Sequence, residues 1–184
     1  MRKDFGAKTF FFPLPVLIIG TYDKDGTPNA MNAAWGGIRD YNKIEINLAE
    51  HKTTKNLRIN KALTVAFADK DHVAESDYVG IVSGSKVPNK LEKAGLTVTK
   101  SKYVNAPLIN EYPISLECEV ESISEDLCVV AKIINVSADE KVLDEKGNID
   151  IKKAHIITFD PSLNRYIELG DVAGQAFKDG LKIK

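Results

Sequence analysis

The chain has 184 residues, the size of one domain, and its 43% hydrophobic and 28% charged residues are ordinary for a globular protein. Its formal net charge is −1 with acidic and basic residues interspersed, which excludes the broad basic surface of a nucleic-acid-binding protein. The apolar stretches are too short to span a bilayer, and Asp4 and Lys8 interrupt an aromatic start that otherwise resembles a signal peptide. We therefore expect one domain over residues 1–184, in the cytoplasm, with neither a membrane nor a nucleic acid as partner.

Two cysteines are too few for a disulfide framework in a chain of this length. Cys118 and Cys128 lie in successive strand patterns and face each other across a hairpin in one interpretation, but buried, reduced thiols are favoured. Neither these cysteines nor the three scattered histidines have the spacing of metal ligands. We expect no metal site.

The first third of the chain is predicted to form β-strands joined by short turns. A β-branched run ends at Asp25-Gly26, a strong tight-turn signal, and the chain then returns as a second strand. In the third strand apolar and polar residues alternate with the period of a half-buried strand. The predicted strands are Val16–Tyr22, Pro28–Trp35, Lys43–Leu48 and Ala62–Ala68.

Short helices follow, and then more strands. Ala74, Tyr78 and Ile81 recur at helical spacing, and a second helix over Pro88–Ala94 is stopped by Gly95. The later predicted elements are strands at Ile114–Val120, Leu127–Val136, His155–Phe159 and Arg165–Leu169, and a terminal helix at Ala173–Leu181. Hairpin-length loops with inserted helices favour an antiparallel barrel over a parallel α/β sheet.

The segment Asn29–Gly37 (NAMNAAWGG) is a poor strand former, rich in alanine, asparagine and glycine. Such small side chains allow a flat ligand to approach the backbone, with Trp35 packing on its face or edge. A tight barrel corner with no room for bulky residues explains the same composition. From the residues alone, the two interpretations are equally supported.

The segment His51–Leu57 (HKTTKNL) is predicted to open a helix, with Thr53 or Thr54 as its N-cap. The free amides and positive dipole end of a helix start, joined by lysines and hydroxyls, suit a phosphate. From the residues alone, an ordinary capped helix with solvated lysines is the more common explanation for such a cluster.

The segment Gly80–Lys90 (GIVSGSKVPNK) is predicted to be an ordered loop between two helices. It supplies either a second cation to a phosphate or a lip over a ligand. A plain surface loop has the same composition.

No Ser or Cys lies in a recognisable nucleophile context, and no glycine-rich dinucleotide loop is present. If the protein is an enzyme, a bound cofactor therefore supplies the chemistry.

Taken in order, these segments resemble the flavin reductase-like family of FMN-binding split barrels, and in particular its flavoredoxin-like branch. The resemblance extends over nearly the whole chain. It is carried by PLPVLIIGTYDKDGTPNAMNAAWGG, LAEHKTTKNL, DYVGIVSGSKVPNKLEKAGL, APLINEYPISLECEV and NRYIELGDVAGQAF.

This resemblance implies a mainly β fold with inserted helices, namely a six-stranded antiparallel split β-barrel that is usually a homodimer and binds FMN non-covalently. It places the flavin ring along Asn29–Trp35 and the phosphate on Lys52, Thr53 and Thr54. Lys90 resembles a position that reaches the phosphate, and Tyr166 one near the dimer-related part of the site. The residues expected to bind the cofactor are Asn29, Ala30, Met31, Asn32, Ala33, Ala34, Trp35, Leu48, Lys52, Thr53, Thr54, Lys90 and Tyr166.

The function implied is an FMN-binding oxidoreductase that passes electrons from NAD(P)H through bound FMN to a small-molecule or protein acceptor. One alternative is a non-enzymatic, flavoredoxin-like electron carrier that receives electrons from a protein partner. A second is a ligand-binding barrel that never holds flavin. The sequence identifies no catalytic residue.

Overall fold

The structure, a computed structural model, describes residues 1–183. Within them the chain forms twelve β-strands and three α-helices. The strands are β1 Leu14–Pro15, β2 Leu17–Tyr22, β3 Pro28–Ala33, β4 Gly36–Asp40, β5 Lys43–Asn47, β6 Ala62–Phe67, β7 Val98–Lys100, β8 Pro107–Ile109, β9 Ile114–Ile123, β10 Cys128–Ala138, β11 Ile157–Asp160 and β12 Arg165–Glu168. The helices are α1 Lys52–Asn60, α2 Val73–Ile81 and α3 Lys90–Lys93, with short 3₁₀ turns at Lys70–His72, Glu140–Val142 and Asp179–Lys182.

Seven strands form one curled antiparallel sheet in the order β3-β2-β6-β9-β10-β5-β4. The strands β3 and β4 follow each other in sequence but lie at opposite edges, so the sheet forms a half-barrel rather than a closed one. Two smaller sheets, β1-β11-β12 and β7-β8, complete the strand pairing. This architecture confirms the expected mainly β, antiparallel split barrel.

The expected count of six strands is wrong, because the main sheet contains seven. The additional strand is β4, which pairs with β5 in the register Gly36↔Ile46 and Ile38↔Ile44. Two consecutive glycines have a low strand propensity, so the hydrogen bonds to β5 outweigh the local preference here. The strand before it ends at Ala33 rather than Trp35.

Strand β2 is buried on both faces, which explains its uninterrupted apolar sequence. Ile18 points toward Val79 of α2 and Leu91 of α3, whereas Ile19 points into the concave side of the sheet with Leu57 of α1. Burying a side chain of this size stabilises the fold by about 1.5–3 kcal/mol. The alternation of β2 therefore fixes all three helices relative to the sheet.

The prediction of Thr53 or Thr54 as the N-cap of α1 is wrong, because the capping residue is His51, two or three residues earlier. Thr54 lies inside the first turn, where its hydroxyl accepts the His51 N–H at 3.3 Å and donates to the Ala49 carbonyl at 2.6 Å. The segment His51–Leu57 does open a helix as predicted, but the Thr54 side chain holds the first turn from inside the helix and not from the cap position.

The predicted terminal helix over Ala173–Leu181 is wrong. Within this stretch only a 3₁₀ turn at Asp179–Lys182 forms, and every described residue after Ile167 is exposed. A short segment with two glycines gains too little from propensity alone without a face to bury.

Both cysteines are free: Cys118 lies opposite Ile133, and Cys128 opposite Asn47. Burial, followed by the charge of Glu117, raises the pKa of the Cys118 thiol to about 12. Among residues 1–183 no three His, Cys, Asp or Glu side chains are grouped as metal ligands. In the same residues, no helix combines the length and apolar character needed to cross a membrane.

Candidate anion and cofactor site

A cleft of about 180 Å³ lies where β3, the start of α1, the end of α2 and α3 meet. Six of the residues expected to bind the cofactor line it: Asn29, Met31, Asn32, Lys52, Thr53 and Lys90. The end of α2 and the loop after it, residues 80–84, close the opposite wall. The segment Gly80–Lys90, predicted as a loop, therefore begins inside α2 and ends at the first residue of α3. Sequence reasoning missed His51 as a lining residue, since it carried no signal beyond its place before the lysine.

The N-terminus of α1 points its first turn at the cleft. Lys52-Thr53-Thr54-Lys55 carries no acidic side chain, so the positive end of the helix dipole is uncompensated by its own turn. The buried Thr53 hydroxyl accepts a hydrogen bond from Asn29 Nδ2 at 2.9 Å, and its own proton remains free to donate. Thr54 is fully buried and its hydroxyl serves the helix start.

Two lysines give the cleft its charge. Lys52 Nζ lies 3.2 Å from Asp23 Oδ2, and both side chains are about four-fifths buried. Lys90 is buried, and its Nζ donates to the Val79 carbonyl at 3.0 Å and to the Val82 carbonyl at 2.9 Å. Burial, followed by repulsion from Lys52, lowers the pKa of Lys90 to about 8. The ammonium group therefore caps the end of α2 and keeps one N–H for a ligand.

Two glycines allow the end of α2 to close against β3. A Cβ on Gly84 would lie 2.2 Å from Asn29 Oδ1 and 3.3 Å from Lys52 Cδ. A Cβ on Gly80 would lie 3.0 Å from the Cβ of Asn32. Any larger residue at Gly84 would displace the amide that orients Thr53.

In the part of the chain that the structure describes, β3 pairs with β2 and has no strand on its other side. An edge strand presents backbone N–H and C=O groups that a flat polar ligand is able to bind. Ala30 on this strand is buried, and Ala33 and Ala34 are half-buried, so the side chains leave room for such a ligand.

Seven of the expected residues do not line the cleft: Ala30, Ala33, Ala34 and Thr54, described above, and Trp35, Leu48 and Tyr166. Trp35 is 58% exposed and borders a separate groove with Phe11 and Gly37. Leu48 is half-buried and packs on the concave core. Tyr166 donates its hydroxyl to Asp77 Oδ1 at 2.8 Å and accepts from Asn32 Nδ2 at 3.5 Å, one hydrogen bond away from the cleft.

Burial and the neighbouring Asp77 raise the pKa of Tyr166 to about 12, so the phenol is neutral and donating at physiological pH. Asn32 Nδ2 also donates to the Ser76 carbonyl at 3.1 Å. Together these bonds tie β12 and α2 to β3. Tyr166 thus holds the helix that forms the far wall of the cleft.

This combination of donors is suited to an anion. A helix N-terminus, two ammonium groups and a free hydroxyl converge on one small volume, which is the usual composition of a phosphate site. An edge strand of small residues continues from it. The cleft and the strand together suit a phosphorylated molecule with a flat polar ring.

Comparison with known proteins identifies the class. Residues 9–151 match the family described as "Flavin reductase like domain", so the chain belongs to the flavin reductase-like family. Its architecture is that family's split barrel, and its structural neighbours place it in the flavoredoxin-like branch.

Two of these neighbours match the whole chain. Flavoredoxin of Desulfovibrio vulgaris (Miyazaki F) is 32% identical over 98% of this chain and 100% of its own, with a TM-score of 0.94. Flavoredoxin from Methanosarcina acetivorans is 28% identical over 100% of both chains, with a TM-score of 0.88. An FMN-binding domain of a flavin reductase-like enzyme from Shewanella baltica, 18% identical over 88% of each chain with a TM-score of 0.78, shares the fold.

Proposed function

We propose that this protein binds FMN non-covalently and acts as a cytoplasmic oxidoreductase that passes electrons from NAD(P)H to an acceptor. The observation that carries the proposal is the convergence of Lys52, Lys90 and Thr53 at the start of α1, with the open edge of β3 beside them. Family membership supports a flavin as the ligand. We further propose that residues 1–184 act as one domain.

The cleft fits the phosphate end of FMN. Its volume of about 180 Å³ suits a phosphate with part of the adjoining chain, and the missing side chain at Gly84 leaves Asn29 and Lys52 in place on its walls. Lys52 and Lys90 would supply charge, while Thr53 would donate its hydroxyl and the α1 amides their N–H groups. The Thr54 hydroxyl would hold the first turn of α1 and would not contact the phosphate, because it donates to Ala49.

The ring would lie along β3 beyond the cleft. Ala30, Ala33 and Ala34 present little side chain there, so the backbone of the strand would orient the heterocycle. We include Trp35 and Leu48 in the proposal as candidate contacts of the ring. Bound FMN supplies a redox centre that accepts a hydride and releases electrons singly or in pairs. The chain's own part is to hold the ring in one orientation with one face open.

A second candidate function is a non-enzymatic electron carrier. It is favoured by the two full-length neighbours, both of which are called flavoredoxins. In this case the same cleft and edge strand would hold FMN, but a reduced protein would deliver the electrons. The two functions differ only in the donor.

We also propose a homodimer. A largely apolar cavity of about 470 Å³ opens beside β11, lined by Val136, Ile149, Ile151 and Leu169 among others. These four side chains are 37–49% exposed, which is costly for a monomer in water. A second copy would cover them. Sedimentation velocity of the purified protein is expected to give a dimer, and a monomer at micromolar concentration would contradict this assignment.

The deciding experiment for the FMN proposal is a visible spectrum followed by anaerobic reduction. The purified protein, supplied with FMN and desalted, is expected to retain the two-band spectrum of oxidised flavin. NADH or NADPH is then expected to bleach it. Bleaching by a reduced protein donor but by neither nucleotide would support the electron carrier instead. A colourless protein with no FMN affinity would refute both.

A further inference from the structure

Asp23 holds a fixed negative charge beside the proposed phosphate site. Its Oδ1 accepts the backbone N–H groups of Asp25 and Thr27, both at 2.9 Å, within the turn that joins β2 and β3. Its Oδ2 lies 3.2 Å from Lys52 Nζ. The turn, rather than the lysine, therefore fixes the carboxylate in place.

The carboxylate stays ionised over the physiological range. Burial alone would raise the pKa of Asp23, but hydrogen bonds from Thr27, Asp25 and Lys52 outweigh it and lower the pKa below its ordinary value. Protonation at neutral or mildly acidic pH therefore does not remove this charge.

The charges around the cleft consequently offset one another. Lys52, Lys90 and His51 line the anion site, and Asp23, which is not among the lining residues, is paired with Lys52. An incoming phosphate and Asp23 compete for the Lys52 ammonium group. The two anions also repel each other, even when both are bound to that ammonium group.

We propose that Asp23 is an intramolecular counter-ion of Lys52 that limits the affinity for the phosphate and keeps the flavin exchangeable. This inference rests on the proposed function, since it concerns FMN at the same cleft. Asp23 is a residue that tunes affinity and does not itself bind the ligand. Its removal therefore strengthens binding, whereas loss of a binding residue would weaken it.

The test compares Asp23→Asn with Asp25→Asn by fluorescence titration. Asparagine at position 23 retains an oxygen for the two turn hydrogen bonds, so the fold is expected to persist. Asp25 lies in the same turn with a 70% exposed side chain and no hydrogen bond to Lys52, which makes it a matched loss of one charge. Asp23→Asn is expected to bind FMN on the order of tenfold more tightly than wild type, and Asp25→Asn about as wild type.

Riboflavin, which lacks the phosphate, is the matched ligand. Its affinity is expected to be the same for wild type and Asp23→Asn. Weaker or unchanged FMN binding by Asp23→Asn would overturn the proposal and assign Asp23 to positioning Lys52 or to the turn alone. An equal gain for riboflavin would also overturn it, because the effect would not act through the phosphate.

Inorganic phosphate separates this inference from the FMN proposal. It is expected to raise the unfolding temperature of Asp23→Asn more than that of wild type. If wild type binds no FMN but this difference appears, the FMN proposal fails and the role of Asp23 at an anion site stands. If wild type binds FMN and phosphate stabilises both proteins equally, the counter-ion inference fails and the FMN proposal stands.

Discussion

Substitutions at the adjacent threonines of α1 are expected to differ in their effect on FMN affinity. Thr53 faces the cleft, accepts from Asn29 and keeps its proton for a ligand, whereas Thr54 bonds to Ala49 and His51 within the helix start. Thr53→Val would remove the hydrogen bond that we propose Thr53 donates to the FMN phosphate, and a hydrogen bond to a charged group is worth about 1.5–3 kcal/mol. With RT of about 0.59 kcal/mol, this free energy corresponds to a rise of about 10- to 150-fold in the dissociation constant for FMN.

The stability changes are expected to be similar for the two variants. Thr53→Val leaves the buried Asn29 amide without its acceptor, at a cost of about 1–3 kcal/mol. Thr54→Val removes side-chain bonds at the helix start, at a cost of about 1 kcal/mol. Its FMN affinity, measured below the unfolding transition, is expected to stay within about twofold of wild type.

Quenching of FMN fluorescence gives the affinities, and urea unfolding gives the stabilities. Thr53→Ser retains the hydroxyl and is expected to recover most of the lost affinity. Wild-type FMN affinity in Thr53→Val, or a greater loss of affinity in Thr54→Val than in Thr53→Val, would contradict the assignment of Thr53 to the phosphate.

Two further predictions concern the walls of the cleft. Because the pKa of Lys90 is about 8 and a flavin phosphate becomes a dianion above about pH 6, FMN affinity is expected to peak between these values and to fall up to about tenfold per unit above pH 8. The free protein should behave oppositely: a lysine whose folded pKa lies below its unfolded value of about 10.4 makes the unfolding free energy rise with pH across that interval. FMN titrations from pH 5.5 to 9.5 check both the rise and the fall of affinity. Lys90→Met should bind FMN weakly and show no fall in affinity above pH 8. If the fall persists in this variant, a group other than Lys90 causes it. Gly84→Ala places a Cβ 2.2 Å from Asn29 Oδ1 and is expected to weaken FMN binding about tenfold and to lower the unfolding free energy by about 1–3 kcal/mol. The control Gly170→Ala, whose Cβ would have nothing within 4 Å, should change neither quantity. Equal results for the two variants would show that the loop at Gly84 moves to accept the methyl group at no cost.

Much of the fold could be predicted because alternation and turn chemistry are local. The predicted bounds of β2 and β5 and the start of β9 agree with the structure to within one residue. They follow from the Asp25-Gly26 turn and from local alternation, whereas the end of β9 extends further than predicted. Strand β4 could not be predicted in this way, since it owes its form to pairing with β5. The terminal helix was wrong for the converse reason: its local pattern had no surface to pack on.

For the candidate site, the sequence predicted which segments contribute but not how each side chain is used. It identified Lys52, Thr53 and Lys90, which the structure brings to one cleft. It also assigned Thr54 to the phosphate, whereas the Thr54 hydroxyl donates to the Ala49 carbonyl at the helix start. The ion pair between Lys52 and Asp23 could not be predicted from the sequence, because Asp23 lies 29 residues earlier and its sequence context indicates only a turn. The partner of each side chain is set by contacts between segments that are distant in sequence, and the periodicity of one segment does not predict such contacts.

The cleft is assembled from β3, α1 and the end of α2, which are far apart in the chain. None of these segments presents the full set of donors until the sheet has brought them together, so the unfolded chain has no anion site for FMN to recognise. Any free energy of FMN binding is then added to the free energy of unfolding, by about 2.7 kcal/mol when FMN is a hundredfold above its dissociation constant. The lifetime of this protein against unfolding and proteolysis would therefore rise and fall with the supply of flavin.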